Sequence, residues 1–336
     1  MPFLDSMKDN TYRGFALASV FGGGTSNSEW EFLTSNSFAF MRTGSPYQLQ
    51  VKDNSYSIVS ELKQRGYTCL GMHPYDENGW MRKKGYEKLG FDATYFLKDF
   101  PYQNVIRGYI SDREMYEKII SLYENRENSA PMFVFGVTIQ NHGGYTYDPA
   151  LYPPTVHLEG MSNSYPDVEQ YLSLINESDS AMEYLVDYFN NVEDEVVILF
   201  FGDHFPALNN TFFEEVKGSA LQWQNINEYE QYHMVPFYIW ANYDIEEKEV
   251  QLTSLNYLAG LLYEAAGMEL PAYQKVLKEM QAKIPALNSF AYFSLDRQCF
   301  LPCIAAENGE KEALNYYWQL EYNNIYDEKN LLSIFR

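Results

Sequence analysis

Cysteine is scarce in this chain, with three in 336 residues. That excludes a disulfide scaffold and leaves burial to hold the core together. Histidine is nearly as scarce, at five, so each one has to be weighed separately. Positive charge is also short: Lys+Arg 24 against Asp+Glu 46 gives a formal net charge of −22. So acidic a surface repels phosphate backbones and anionic lipid, which excludes nucleic acid as a partner and membrane adhesion by charge alone. No apolar run is long enough to span a bilayer, and no signal-peptide pattern opens the chain. Met1-Pro2-Phe3-Leu4-Asp5 reads as the interior of a domain rather than its start. There is no internal repeat and no low-complexity linker.

Apolar residues, at 46%, support a substantial core and exclude disorder. Tyrosine (30) and phenylalanine (22) are abundant, which suits core packing plus surface tyrosines, with a sugar- or lipid-stacking face as the alternative. Cys69 sits in an apolar run and reads as packing. Cys299 and Cys303 flank Phe-Leu-Pro, and whether they pair stays open.

Apolar runs alternate with helical patterns. Phe15–Phe21, Tyr67–Met72, Pro131–Ile139, Val196–Phe201 and Pro236–Trp240 read as buried strands. Ser57–Arg65 reads as a helix closed by Gly66, Trp80–Leu89 as one closed by Gly90, and Ser111-Asp112-Arg113-Glu114 as a capping box opening a helix to Glu124. A long amphipathic helix spans Val168–Phe189. This alternation predicts an α/β fold, a mostly parallel sheet with helices on both faces. Beyond Ala241, Leu255–Ala266, Ala272–Ile284 and Glu310–Tyr322 read as helices. The expectation is one catalytic domain over 1–336, with a core at 1–241 and a small C-terminal helical subregion at 242–336.

In such sheets chemistry gathers beyond the carboxyl ends of the strands. Gly22-Gly23-Gly24 brings Thr25 to one such end, where a hydroxyl at a helix N-terminus could be deprotonated with a metal's help and attack phosphorus or sulfur. Taken alone, Thr25 could equally be a helix N-cap. Gly202 brings Asp203-His204 to another strand end, and carboxylate plus imidazole suits Mn²⁺, with Mg²⁺ or Zn²⁺ as alternatives. His142, between Asn141 and two glycines, could hold an oxyanion or protonate a leaving group, or be only a turn residue. His73 follows a strand. Arg82 could fork onto two phosphate oxygens or be a solvated helix charge, and Trp80 could line the site or the core. His157 and His233 read as structural.

In order and spacing these segments resemble the lipoteichoic acid synthase family of sulfatase-like domains, within the alkaline phosphatase superfamily. The matching residues are Gly22 to Glu29, His73, Trp80-Met81-Arg82, Tyr86, Leu89-Gly90-Phe91-Asp92, Asn141-His142, Tyr171, Ile175, Asp179, and Phe201-Gly202-Asp203-His204-Phe205-Pro206. The resemblance implies Thr25 as nucleophile and metal ligand, with Asp203 and His204 as further ligands. It implies that His73, Trp80, Arg82 and His142 surround the transferred group. It implies a metal-dependent phosphoglycerol transferase or phosphodiesterase acting on a phosphatidylglycerol-type head group, in cell-envelope polymer or glycolipid synthesis. Such enzymes work on the extracellular face of the membrane, through an anchor absent from this chain.

Two departures stand out. The family carries a glutamate ligand on a first strand, in a segment resembling Asn-Glu-Ser, that would precede Pro2. The chain is therefore expected to lack one ligand and one strand. An acidic residue often stands two positions after the equivalent of His73, where this chain has Tyr75. One rival is a sulfatase or a general phosphodiesterase or phosphatase on the same fold, although Thr25-Ser26-Asn27-Ser28-Glu29 lacks the Cys/Ser-x-Pro/Ala-x-Arg motif of formylglycine sulfatases. The other is a catalytically inactive binding domain.

Overall fold

The structure is a computed structural model that describes residues 1–41, 44–53, 55–127 and 130–335. A short helix α1 (Pro2–Ser6) leads into strand β1 (Thr11–Leu17), and helix α2 (Thr25–Thr34) follows the glycine loop. Next come α3 (Pro46–Leu49), α4 (Ile58–Gln64) and β2 (Thr68–His73). The chain continues through α5 (Arg82–Leu89), β3 (Ala93–Phe96), the hairpin strands β4 (Val105–Ile106) and β5 (Tyr109–Ile110), and α6 (Asp112–Glu124). After β6 (Met132–Gly136), α7 (Pro166–Phe189) and β7 (Val197–Phe201) come α8 (Asn210–Lys217), α9 (Ile226–Gln231) and β8 (Met234–Ala241). The remainder holds β9 (Lys248–Ser254), α10 (Leu258–Ala265), α11 (Ala272–Gln281), the hairpin β10 (Tyr292–Ser294) and β11 (Cys299–Leu301), and α12 (Asn308–Tyr326).

The strands form two main sheets rather than one. β3-β2-β6 is wholly parallel. The other has the order β7-β8-β1-β9, in which β8 runs antiparallel to both its neighbours and β1 pairs parallel with β9. The architecture is the expected α/β fold with helices on both faces, and one of its two main sheets is mixed. One apolar layer packs Trp30 and Leu33 of α2, Val59 and Leu62 of α4 and Leu258 of α10 against the strands. On the opposite face Tyr116 of α6 and Met182 and Leu185 of α7 pack with Tyr238 and Trp240. The strand expected at Phe15–Phe21 starts earlier, because Thr11 and Tyr12 already pair with Trp240 and Ile239. β9 was hidden in the sequence: only Val250 and Leu252 of Lys248–Ser254 are apolar, alternating with polar residues as in an edge strand.

β6 and β7 face each other across an apolar slot. Residues 130–139 and 194–201, which contain β6 and β7, both line a cavity of about 1060 Å³. Among the described residues β6 bonds only to β2 and β7 only to β8. A strand covered by helices on both faces is normally buried, yet every residue of β7 is only half-buried. Helices α6 and α7 roof the slot with Met115, Ile119, Met182 and Leu185, and Phe32 and Leu62 line it from the opposite face.

Local signals explain the helix ends. Ser57 caps α4 by accepting from Ser60 N, and Gly66 turns the chain away with φ +85°. Ser111 caps α6 as expected, but Glu114 does not return to it. Its carboxylate instead accepts the amides of Tyr102, Gln103 and Asn104 and ties down the loop before β4. The helix expected over Trp80–Leu89 is interrupted: Trp80 and Met81 take left-handed φ of +58° and +56°, and α5 begins only at Arg82. All three cysteines are free thiols, Cys69 buried and Cys299 and Cys303 half-buried.

Candidate active site

The glycine loop and the Asp-His turn leave strands that are not neighbours, since β8 lies between β1 and β7. Past the start of β8 nothing separates them. Phe21 and Phe205 form a parallel bridge, and the Gly22 amide donates to the Phe205 carbonyl at 2.9 Å. Gly22 has φ +68°, and a Cβ there would come within 2.9 Å of the Ala207 Cβ, so only glycine permits this closure. Gly24, at φ +94°, serves as the N-cap of α2 and offers no side-chain cap. Thr25 is therefore the first helical residue and not the cap. Its hydroxyl is free of capping duty, and the helix N-terminus beside it offers amide donors and the positive end of its dipole.

Thr25 Oγ1 donates to Asp203 Oδ2 at 2.6 Å. The Ser28 hydroxyl donates to the Asp203 carbonyl and holds that turn from α2. His204 Nδ1 donates to the Phe205 carbonyl at 2.9 Å, and Nε2 lies 3.3 Å from Asp203 Oδ2. A hydroxyl, a carboxylate and an imidazole nitrogen gathered around one oxygen suit a divalent cation that takes hard oxygens and nitrogen. Among the described residues no group of three His, Cys, Asp or Glu gathers to complete such a shell.

His73, Trp80, Arg82 and His142 border the same cavity. His73, at the end of β2, is buried, and its Nδ1 donates to the Val137 carbonyl at 2.8 Å. Burial, with Arg82 adding to it, pushes its pKa down to about 3, so the ring is neutral and Nε2 is an acceptor for a substrate hydroxyl. His142 is exposed on the loop after β6, and its Nδ1 lies 3.4 Å from the Tyr109 hydroxyl. Tyr75 stacks against His142 with ring centroids 6.4 Å apart, an aromatic contact where an acidic residue was expected. Trp80 is 48% exposed and belongs to the mouth of the cavity rather than to the core.

Arg82 departs from both readings of it. It is neither solvated nor wholly free for substrate. Nε donates to both carboxylate oxygens of Glu29 at 3.1 Å, and Nη2 donates to Oε1 at 2.5 Å. Burial opposes the charge on Arg82, and Glu29 outweighs it, raising the guanidinium pKa. Glu29 also accepts the hydroxyls of Tyr47 (3.0 Å) and Tyr86 (2.8 Å). Only Nη1 of the fork lies outside the pair. Glu29 stood in the nucleophile loop as an unassigned acid, and no local pattern ties it to an arginine 53 positions away. Asp179 of α7 serves structure: it accepts the amides of Phe3 (2.7 Å) and Leu4 (2.9 Å) and anchors α1.

The chain is similar to known proteins in sequence and in fold. A putative cyclic beta-1,2-glucan modification protein of Rhizobium meliloti (strain 1021) is 28% identical over 269 residues, 77% of this chain and 41% of its own length. Lipoteichoic acid synthase 2 of Bacillus subtilis (strain 168) is 23% identical over 227 residues, 64% of this chain and 33% of its own length. The chain thus spans less than half the length of these curated relatives. In fold it is similar to the phosphoglycerol transferase GacH of Streptococcus pyogenes, solved in complex with sn-glycerol-1-phosphate. The TM-score there is 0.77 at 24% identity, covering 96% of this chain and 79% of that one. The model of the Sulfatase family matches residues 1–268, and the chain belongs to that family.

Proposed function

We propose that this chain carries the catalytic site of a phosphoglycerol transferase or phosphodiesterase that acts through Thr25. The observation that carries the reading is the contact of Thr25 Oγ1 with Asp203 Oδ2, beside His204 Nε2, at an uncapped helix N-terminus. The preferred donor is a phosphatidylglycerol-type head group. The phosphoglycerol transferase among the structural neighbours and the glucan modification protein among the relatives support a cell-envelope glycan or glycolipid as acceptor.

Asp203 accepts the hydrogen bond of the Thr25 hydroxyl and can take its proton as Oγ1 attacks phosphorus. A new P–O bond to Thr25 forms, and the P–O bond to diacylglycerol breaks. His142 gives the leaving alkoxide its proton. The acceptor hydroxyl, or water, then reverses the sequence and frees Thr25. Neutral His73 accepts from a glycerol hydroxyl, and the α2 amides face the phosphoryl oxygens. A divalent cation held by Thr25, Asp203 and His204, preferably Mn²⁺, would lower the barrier by countering the charge on oxygen.

We read the slot between β6 and β7 as the seat of one further strand. Two unpaired strand edges and helices on both faces favour a continuous apolar segment, and a carboxylate at its site end would add a ligand beside Thr25. Activity on the extracellular face of a membrane accords with this substrate. Among the described residues no helix is long and apolar enough to cross a bilayer.

The test is incubation with Mn²⁺ and labelled phosphatidylglycerol, followed by intact-mass measurement. The expected result is released diacylglycerol and a glycerophosphoryl adduct on Thr25. Release of diacylglycerol at the full rate by Thr25→Ala would move the nucleophile elsewhere.

A further inference from the structure

The β4–β5 hairpin belongs to none of the motifs above, yet two side chains at its tip reach the His142 loop. Arg107 stands in the turn with φ +50° and is only 9% exposed. Its Nη2 donates to the carbonyls of Gln140 (3.1 Å) and His142 (2.8 Å), and Nη1 to that of Gly144 (3.3 Å). The rings of Tyr109 and Tyr145 lie 5.9 and 5.6 Å from the guanidinium. Among the described residues no carboxylate pairs with it, and its buried Nε has no partner. An unpaired buried cation is unfavourable. This one is retained where a single fork grips three carbonyls of one loop.

At its start the loop is also held by side chains, Gln140 bonding to Asp112 N and Leu174 O and Asn141 to the Ser178 hydroxyl, so the grip of Arg107 matters most over His142 to Gly144. Gly143 and Gly144 line the cavity, and a Cβ on either would meet open space. From the same hairpin the Tyr109 hydroxyl reaches His142 Nδ1 at 3.4 Å, with ring centroids 5.7 Å apart. One hairpin tip thus meets both the backbone and the ring of His142.

We propose that Arg107 and Tyr109 are positioning residues for His142. Arg107 fixes the backbone of the Gln140–Gly144 loop, and Tyr109 fixes the ring through Nδ1. With Nδ1 engaged by the Tyr109 hydroxyl, Nε2 is the nitrogen left for substrate; as the acid, the imidazolium donates Nδ1–H to the tyrosine oxygen and Nε2–H to the leaving oxygen. This inference rests on the role given to His142 above.

Two measurements separate it from that role. With five histidines in the chain, the His142 ring signals can be resolved by NMR without substrate. Tyr109→Phe and Arg107→Lys are expected to shift the His142 signals and leave those of His157 and His233 in place. On a glycerophosphodiester, either substitution should lower kcat about tenfold with KM changed less than about twofold, the scale seen when a supporting hydrogen bond is lost. In a His142→Ala background the same substitutions should change kcat less than about twofold, because the residue they position is gone. Tyr109→Phe removes one hydroxyl, so it tests the proposal even where Arg107→Lys unfolds the hairpin. Equal losses in both backgrounds, or unmoved His142 signals, would overturn it. Moved signals with no turnover by the parent protein would count against the reaction and not against the clamp.

Discussion

Glu29 and Arg82 form a buried ion pair at the wall of the cavity, with three hydrogen bonds between them and two tyrosine hydroxyls completing the glutamate's shell. The pair joins helix α2, which begins at Thr25, to α5, so the position of Thr25 and the shape of the cavity wall depend on each other.

Breaking that pair should unfold the protein more readily than any surface change. Glu29→Gln leaves the Arg82 charge buried without its counter-ion, and such losses run to about 3–5 kcal/mol. Urea unfolding followed by circular dichroism measures it. Arg82→Lys should fall in the same direction, since one ammonium cannot reproduce the two-nitrogen grip. A Glu29→Gln protein as stable as the parent would show that the pair contributes nothing net.

Thr25→Ala should abolish turnover and leave stability nearly unchanged. The hydroxyl bonds only outward, to Asp203, and caps no helix. Losing a nucleophile typically lowers the rate by several orders of magnitude. Turnover and melting temperature measured on one preparation give both halves of the expectation.

Stability should fall as pH rises from about 5 to about 8. Burial raises the Glu31 carboxyl to about 8, well above its ordinary value, although Phe38 N and the Ser19 hydroxyl bond to it. Glu321, also fully buried, is raised by burial and by Glu31. A carboxyl with a raised folded pKa binds its proton more tightly when folded. Its contribution is complete below the unfolded pKa and is lost as pH rises through the folded one. Each has an oxygen without a partner, Glu31 Oε2 and Glu321 Oε1, consistent with a protonated state. Glu31→Gln should flatten the decline in a thermal series across that range. An equally steep decline in the variant would assign it to other groups.

Mn²⁺ should bind this chain weakly. Thr25, Asp203 and His204 supply one carboxylate, one imidazole and one hydroxyl, and affinity for hard cations rises with the number of charged oxygens. Calorimetric titration should show no saturation at metal concentrations comparable to the protein. Tight binding through a further protein carboxylate would place the missing ligand within this chain and remove that role from a strand in the slot.

The amino-acid sequence by itself determined which polar residues stand at the strand ends that border the cavity. The apolar runs that became β1, β2, β6 and β7 are strands, and Thr25, His73, His142 and Asp203-His204 stand at or past their carboxyl ends. Turn glycines and caps likewise marked most helix ends, because those signals act within a few residues. Tertiary structure alone decided which strands neighbour one another, since pairing is a contact between distant segments that periodicity does not encode. The reversed direction of β8, the slot between β6 and β7 and the edge strand β9 are decisions of that kind. So are the turning of Arg82 onto Glu29 and the grip of the hairpin on the His142 loop. In both, a buried cation is settled by whatever acceptors the fold brings within about 3 Å, and no local pattern lists them.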